Sequence, residues 1–266
     1  MKFICPICAS RFEVSEGGAA KCRKGHAFDR SREGYYNLLV GASAGVHGDN
    51  REMLLARRRF LDTDAYLPLA NELLSAISRH APKAACVLDM GCGEGYYTRI
   101  VSEGLESACV SAFDISKDAV KLAAKRAKRA SFAVASSYKI PVECESFDVV
   151  YNVFSPLALD EVRRVLSPDG IFIAAIPDEE HLFELKAQVY DEPYKNAPEN
   201  EELLGFSLIE RKTLAYERIF TKEELSDLFM MTPYAYRTSQ RERARLDEVE
   251  ELKVGMRFII LVYKKV

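Results

Sequence analysis

The chain has 266 residues, 48% hydrophobic and 29% charged, which is enough apolar material for one sizeable core plus a small module and excludes a disordered polypeptide. No apolar run approaches the roughly 18 residues a membrane span requires, and the N-terminus lacks an apolar stretch with a cleavage site, so no membrane association and a cytoplasmic location are expected. The net charge of −3 is uneven: Met1 to Arg59 holds eleven Lys or Arg against six Asp or Glu, so the basic end points to an anionic partner.

Chain order begins with the cysteines. Of seven, Cys86, Cys92, Cys109 and Cys144 lie singly, whereas Cys5, Cys8, Cys22 and His26 make C-x2-C-x13-C-x3-H. Each half of this pattern presents two ligands from a tight turn, and Pro6, Gly17, Gly18 and Gly25 supply the turns. With four protein ligands no position remains for water, so a bound Zn²⁺ is structural rather than catalytic. A module of residues 1–40 is expected to need that ion to fold. Loss of the ion through Cys22→Ser is expected to leave the rest of the chain folded.

Lys21, Arg23 and Lys24 surround Cys22, and Arg30 and Arg32 follow, with Phe28, Tyr35 and Tyr36 among them. Basic groups hold phosphate and aromatic rings stack on unpaired bases, a combination suited to a hairpin loop of RNA. A connector and leading helix over 41–82 add a second basic run, Arg57, Arg58 and Arg59, within "REMLLARRRFLD".

From residue 83 the chain alternates apolar β-branched runs with helical stretches: "CVLDM", "CVSAFD", "SFAVAS", "FDVVYNVF" and "DGIFIAAIP" as strands, "LALDEVRRVL" as a helix between the last two, and "MRFIILVYKK" as a final strand. That alternation predicts an α/β fold, a parallel sheet with helices on both faces, over residues 41–266. Ligands of such sheets bind at the carboxyl ends of the central strands.

That edge carries "LDMGCGEG". Gly91, Gly93 and Gly95 are spaced G-x-G-x-G, and Tyr96 stands where a dinucleotide fingerprint needs its third small residue, which disfavours NAD. Asp89 before the loop would repel a pyrophosphate but suits an ammonium group. Asp114, at the end of the next strand, suits two ribose hydroxyls. Backbone approach at the glycines, a helix N-terminus for a carboxylate and an acid for an amino group together describe an S-adenosylmethionine site. In the fourth strand Asn152 and Phe154 of "YNVFSPL" are candidates to hold a flipped base, and no residue presents itself as a general base. The segment Asp178 to Glu202, with nine acids and two lysines, is expected to be a lid or insertion near the donor pocket.

These motifs resemble class I S-adenosylmethionine-dependent methyltransferases with a Rossmann-like domain. The chain as a whole resembles the large-subunit (23S) rRNA guanine-N1 methyltransferase A family. The strings that carry the second resemblance are "CPIC", "CRKGHAFDRSREGYYNLL", "MLLARRRFLD", "VLDMGCGEGYYT", "VASSYKIP", "HLFELKAQVYDEPYKNAP" and "MTPYAYR", in that order. The resemblance implies a zinc-ribbon-like module that recognises rRNA and methylation of the ring nitrogen of one guanine in a domain II hairpin. It also implies a homodimer. By position it places donor contacts on Tyr66, Gly93, Glu94 and His181. Two other readings stand beside it: a small-molecule methyltransferase whose zinc module mediates assembly, and a non-catalytic RNA-binding protein. The intact Asp89, glycines and Asp114 oppose the latter, and the basic knuckle opposes the former.

Overall fold

The computed structural model describes residues 1–41, 50–198, 200–236 and 238–266. Residues 42–49 of the connector, Glu199 of the acidic segment and Arg237 of "MTPYAYR" lie outside the described residues.

The N-terminal module is a three-stranded antiparallel sheet, β1 (Phe12–Val14), β2 (Ala20–Cys22) and β3 (Ala27–Phe28). β4 (Tyr35–Asn37) leaves it and joins the main sheet. Two helices follow, α1 (Arg51–Leu61), capped by the Asn50 side chain accepting from Met53 N–H, and α2 (Leu67–His80), with Pro68 in its first turn where no N–H is needed. The alternation then runs β5 (Cys86–Met90), α3 (Tyr96–Gly104), β6 (Cys109–Asp114), α4 (Lys117–Arg126), β7 (Ser131–Val134), β8 (Phe147–Val153), α5 (Leu159–Val165) and β9 (Leu166–Pro177). After α6 (Phe183–Val189) comes the long strand β10 (Phe206–Thr221), then α7 (Lys222–Met230), α8 (Gln240–Leu246) and β11 (Glu251–Lys265).

The eight-stranded sheet has the order β10-β11-β9-β8-β5-β6-β7-β4. Its strands are parallel from β4 to β9, and β11 and β10 add antiparallel at the far edge. The sheet is therefore mixed, with the expected parallel centre. Side chains alternate between its faces. Val87, Val110, Val149, Tyr151 and Ile173 pack beneath α2, with Val101 of α3. Ala112, two residues along β6 from Val110, meets Val120 and Ala123 of α4 on that same face.

The opposite face departs from the expectation of helical cover. Leu88, Met90, Phe113, Val150 and Phe172 pack against α5 through Val162 and Val165, and against Phe3, Ala20, Tyr36 and Leu38 of the N-terminal module. The zinc module thus occupies the place of a helical layer. β4 pairs in parallel with β7 through Tyr35, Tyr36 and Asn37 opposite Phe132, Ala133 and Val134. Ile4 N–H donates to Pro141 O at 2.8 Å, and Arg11 makes a two-bond ion pair with Glu143 at 2.7 and 2.8 Å.

Candidate active site and zinc knuckle

At the knuckle, Cys5, Cys8, Cys22 and His26 bring their ligand atoms within 4.8 Å of one another. His26 presents Nδ1, 3.5 Å from Cys5 Sγ and 3.4 Å from Cys22 Sγ, and the sulfurs of Cys8 and Cys22 are 3.6 Å apart. A tetrahedron with metal–ligand bonds of roughly 2.0–2.3 Å has edges of roughly 3.5–3.8 Å, so the donor set fits Zn²⁺ with every position filled. Ala9 N–H closes the first turn on Cys5 O, and Gly25 N–H closes the second on Cys22 O, both at 2.8 Å.

Around the knuckle Lys21, Arg23, Lys24, Arg30 and Arg32 are exposed, as expected of a phosphate-binding surface. The aromatic half of that expectation changes. Tyr35 and Tyr36 are buried by the docking of β4, Tyr36 Oη donates to Gly18 O at 2.7 Å, and Phe28 packs edge-on against Phe12. These rings hold the module together and are not offered to bases.

At the sheet's carboxyl edge β5 ends in Met90 and the chain turns through Gly91, Gly93 and Gly95, with φ of 81°, 53° and 88°, into α3. A Cβ on Gly91 would stand 2.0 Å from Ser155 Oγ, and one on Gly95 would stand 2.7 Å from Ala123 Cα, so glycine is required at both. Over Gly93 the nearest atom to such a Cβ is Arg57 Nη1 at 3.8 Å. The loop is therefore a cradle whose backbone a ligand can approach. Asp114 braces it, accepting Gly93 N–H at 2.9 Å and Ser116 N–H at 2.8 Å.

Asp89 is buried, and one of its oxygens accepts from Thr98 Oγ1 at 2.5 Å and Tyr151 Oη at 2.8 Å. Burial outweighs these two bonds and pushes its carboxyl up to about 7, with the nearby Asp114 adding to the rise. Such an acid gains a proton unless a cation reaches it, which fits a ligand ammonium. Glu94 differs from the others. Its side chain turns to α4 and pairs with Arg126 at 2.5 Å, and Arg126 also pairs with Asp62. The other Glu94 oxygen is buried with no hydrogen-bond partner among the described residues.

Tyr66 and His181, 115 residues apart, meet at 3.2 Å. Arg257 N–H donates to His181 Nδ1 at 3.1 Å, so Nε2 carries the ring proton and donates to Tyr66 Oη. Burial pushes His181 down to about 3, with Lys186 adding to the fall, so the imidazole is neutral. Phe154 stacks on His181 with centroids 6.4 Å apart, and Phe258 lies against both His181 and Tyr66. Phe154 is 43% exposed and has a φ of 54°, rare for an aromatic residue, which lifts its ring to the surface. Asn152 is buried: its Nδ2 donates to Met90 O at 3.4 Å and its Oδ1 accepts Ser155 N–H at 3.3 Å. It ties the turn that carries Phe154 to the end of β5.

The structure thus gathers Asp89, the glycines and Asp114 at one end of the cradle, and Tyr66, Phe154 and His181 in an aromatic wall. Sequence reasoning missed Thr98, Tyr151 and Phe258, which read as ordinary helix and strand residues. It also assigned Arg57 to an RNA surface, whereas the side chain lies over the glycine loop.

This fold and cradle define a class I S-adenosylmethionine-dependent methyltransferase bearing an N-terminal zinc ribbon. Two family profiles match, a methyltransferase domain over residues 82–230 and the N-terminal domain of RlmA, a zinc ribbon, over residues 3–40. A Micromonospora griseorubida protein named for 23S rRNA (guanine-N(1)-)-methyltransferase activity is 32% identical over 93% of this chain and 91% of its own length. A Bacillus subtilis (strain 168) protein named for the same activity, YxjB, is 30% identical over 99% and 97%. The 23S rRNA (guanine(748)-N(1))-methyltransferase of Streptomyces fradiae is 37% identical over 68% of this chain and 65% of its own length. The chain belongs to this RlmA-type family of 23S rRNA (guanine-N1) methyltransferases.

Proposed function

We propose that this chain methylates N1 of one guanine in a domain II hairpin of 23S rRNA, with S-adenosylmethionine as donor. The observation that carries the reading is the fusion of a basic zinc ribbon, through β4, to the edge of a sheet whose carboxyl end holds the glycine cradle. When bound, the donor supplies an electrophilic methyl group on a sulfonium. Asp89 receives its ammonium, Asp114 its ribose hydroxyls, the Gly91–Gly95 backbone lets it approach, and Tyr66 and His181 wall the pocket. Transfer of that methyl to N1 would leave S-adenosylhomocysteine in the cradle, with the N1 proton passing to solvent water. Phe154 is the ring on which the target base stacks beside the cradle, and Asn152 positions that ring through Ser155. Alignment of base and donor supplies much of the acceleration. The zinc-ribbon module, residues 1–40, grips the hairpin through Lys21, Arg23 and Lys24, so selection comes from the knuckle and transfer from the cradle. The enzyme works in the cytoplasm, where its RNA is, as a homodimer that sedimentation would detect.

Primer extension on treated 23S rRNA tests this, because a methyl on the pairing edge of guanine stops reverse transcriptase one nucleotide early. The unaltered protein is expected to create such a stop. Arg23→Glu with Lys24→Glu is expected to abolish it while S-adenosylhomocysteine still binds. A normal stop from the double variant removes the knuckle as reader of RNA. No stop from the unaltered protein, on naked or ribosomal RNA, moves the substrate to a small molecule.

A further inference from the structure

Exposed aromatic rings are scarce in this chain. Among the described side chains only Tyr138, Phe154 and Tyr194 present a Phe or Tyr ring to solvent. All three stand around the carboxyl edge of the sheet: Phe154 follows β8, Tyr194 lies in the segment that Asn196 pins beside His181, and Tyr138 follows β7. Tyr138 is 74% exposed, the most of the three, and stacks on no other ring among the described residues.

The turn that carries it is not slack. Tyr138 N–H donates to Ser136 Oγ and Lys139 N–H to Ser136 O, both at 3.2 Å. Ile140 N–H then donates to Glu161 Oε2 at 2.6 Å, and Ile140 O accepts from Arg164 at 2.7 Å, which fastens the segment to α5. A ring fixed in water on a fastened turn has lost in advance much of the freedom that binding would remove.

Its attachments say what it meets. On one side Ala135 N–H donates to Asp114 O at 3.0 Å, so the turn starts beside the cradle. On the other, Ile4 N–H donates to Pro141 O at 2.8 Å and Phe3 pairs with Val142, so the segment leaving the turn carries the residues just before Cys5 of the knuckle. Tyr138 thus stands between the basic knuckle and the site of transfer. Strands lie about 4.8 Å apart, and β5 and β6 separate β7 from β8, so the strand ends that carry Tyr138 and Phe154 are roughly 14 Å apart. That is about the rise of four stacked nucleotides, and of fewer in a splayed strand. The exposed Lys139 adds a cation for a phosphate of that stretch. A cofactor is a poor match for so open a ring, because its pocket encloses most of it, whereas an unpaired base needs only one face.

We infer that Tyr138 is a second stacking platform, holding a base of the hairpin loop within about four nucleotides of the target guanine, on the knuckle side, so that the guanine reaches Phe154. This rests on rRNA being the substrate.

Filter binding of the domain II hairpin to full-length protein saturated with S-adenosylhomocysteine tests it apart from catalysis. Tyr138→Ala is expected to weaken hairpin binding roughly 5- to 160-fold, the effect of losing one base–aromatic stack. The dependence of affinity on salt should keep its slope, since no phosphate contact is lost. Tyr138→Phe, which keeps the ring, should bind like the parent, and S-adenosylhomocysteine affinity should be unchanged in both variants. Equal hairpin affinity for parent and Tyr138→Ala would overturn the inference, as would no hairpin binding by the parent. Weakened S-adenosylhomocysteine binding would do the same by making the ring a wall of the donor pocket, and so would a loss that Tyr138→Phe shares, by making the hydroxyl the contact. If the unaltered protein binds the hairpin yet creates no reverse-transcriptase stop, the methylation reading fails on its own, and the binding series still decides the platform.

Discussion

Asp89 and His181 are both buried and titratable, and desolvation moves them in opposite directions, to about 7 and about 3. For His181 the folded value lies below the ordinary 6.5, so the unfolded chain binds a proton that the folded chain refuses. Its contribution to stability is lost as pH falls from 6.5 toward 3, by up to about 1.4 kcal/mol per pH unit. For Asp89 the folded value lies above the ordinary 3.8, so the folded chain holds the extra proton and stability falls as pH rises from 3.8 toward 7. Where the windows overlap the two slopes oppose each other. Urea unfolding across that overlap should show His181→Gln losing stability with rising pH relative to the parent, and Asp89→Asn gaining it. Parallel curves for both variants would mean that neither group is desolvated as the structure places it. Phe154 gives a second residue-scale prediction. Its ring is exposed and fixed by His181 beneath it, so Phe154→Ala should lower methylation of rRNA by roughly 5- to 160-fold, from losing roughly 1–3 kcal/mol of base stacking, with donor affinity unchanged. A variant with normal turnover would remove stacking from the mechanism.

At the scale of elements, α6 illustrates how a buried cation organises an acidic stretch. Lys186 is 1% exposed, donates to Tyr194 O at 3.2 Å and Asn196 Oδ1 at 2.6 Å, and lies against the rings of Tyr194 and Tyr234. Asn196 in turn donates to Asp178 O and His181 O, so the segment after α6 is pinned beside the site. Lys186→Met should leave those acceptors unmatched, cost about 1–3 kcal/mol of stability and make the segment around 190–198 more sensitive to protease. Unchanged protease resistance would show that the segment is held by other contacts. The acidic insertion was legible as composition, but its anchor was not, because a lysine at one end and an asparagine ten residues on carry no periodic signal. The contrast runs through the molecule. The cysteine knuckle, the glycine loop and the β5 to β9 alternation were legible because each is written in local strings, one turn or one strand and helix at a time. β4 was not, since "YYN" has no strand pattern of its own and gains its partners only from β7, almost a hundred residues later. Arg57 was misassigned for a related reason: a run of like charges reads as a surface, and only the packing of α1 on α7 turns one member inward.

For the whole molecule, the docking of the zinc ribbon changes what metal loss should do. If the module were an appendage, Cys22→Ser would release Zn²⁺ and leave the methyltransferase fold intact. Instead Phe3, Tyr36 and Leu38 complete the core over Met90, Phe113 and Phe172, β4 covers the edge of β7, and Arg11 pairs with Glu143. Each of those large side chains, if exposed again, forfeits roughly 1.5–3 kcal/mol, a sum comparable with the total stability of an ordinary domain. The turns that present them are closed by the ligands themselves, so metal loss frees Ala20 and the β2 hairpin to leave the sheet. Cys22→Ser, or treatment with a strong chelator, is therefore expected to lower the thermal midpoint of the entire chain in one cooperative transition and to raise binding of an apolar dye. Arg23→Glu with Lys24→Glu alters only exposed side chains and should leave that midpoint nearly unchanged, within about 0.5 kcal/mol of stability. Two separate transitions, or a metal-free protein that melts at the parental temperature, would show that the ribbon and the sheet are energetically independent despite their shared core.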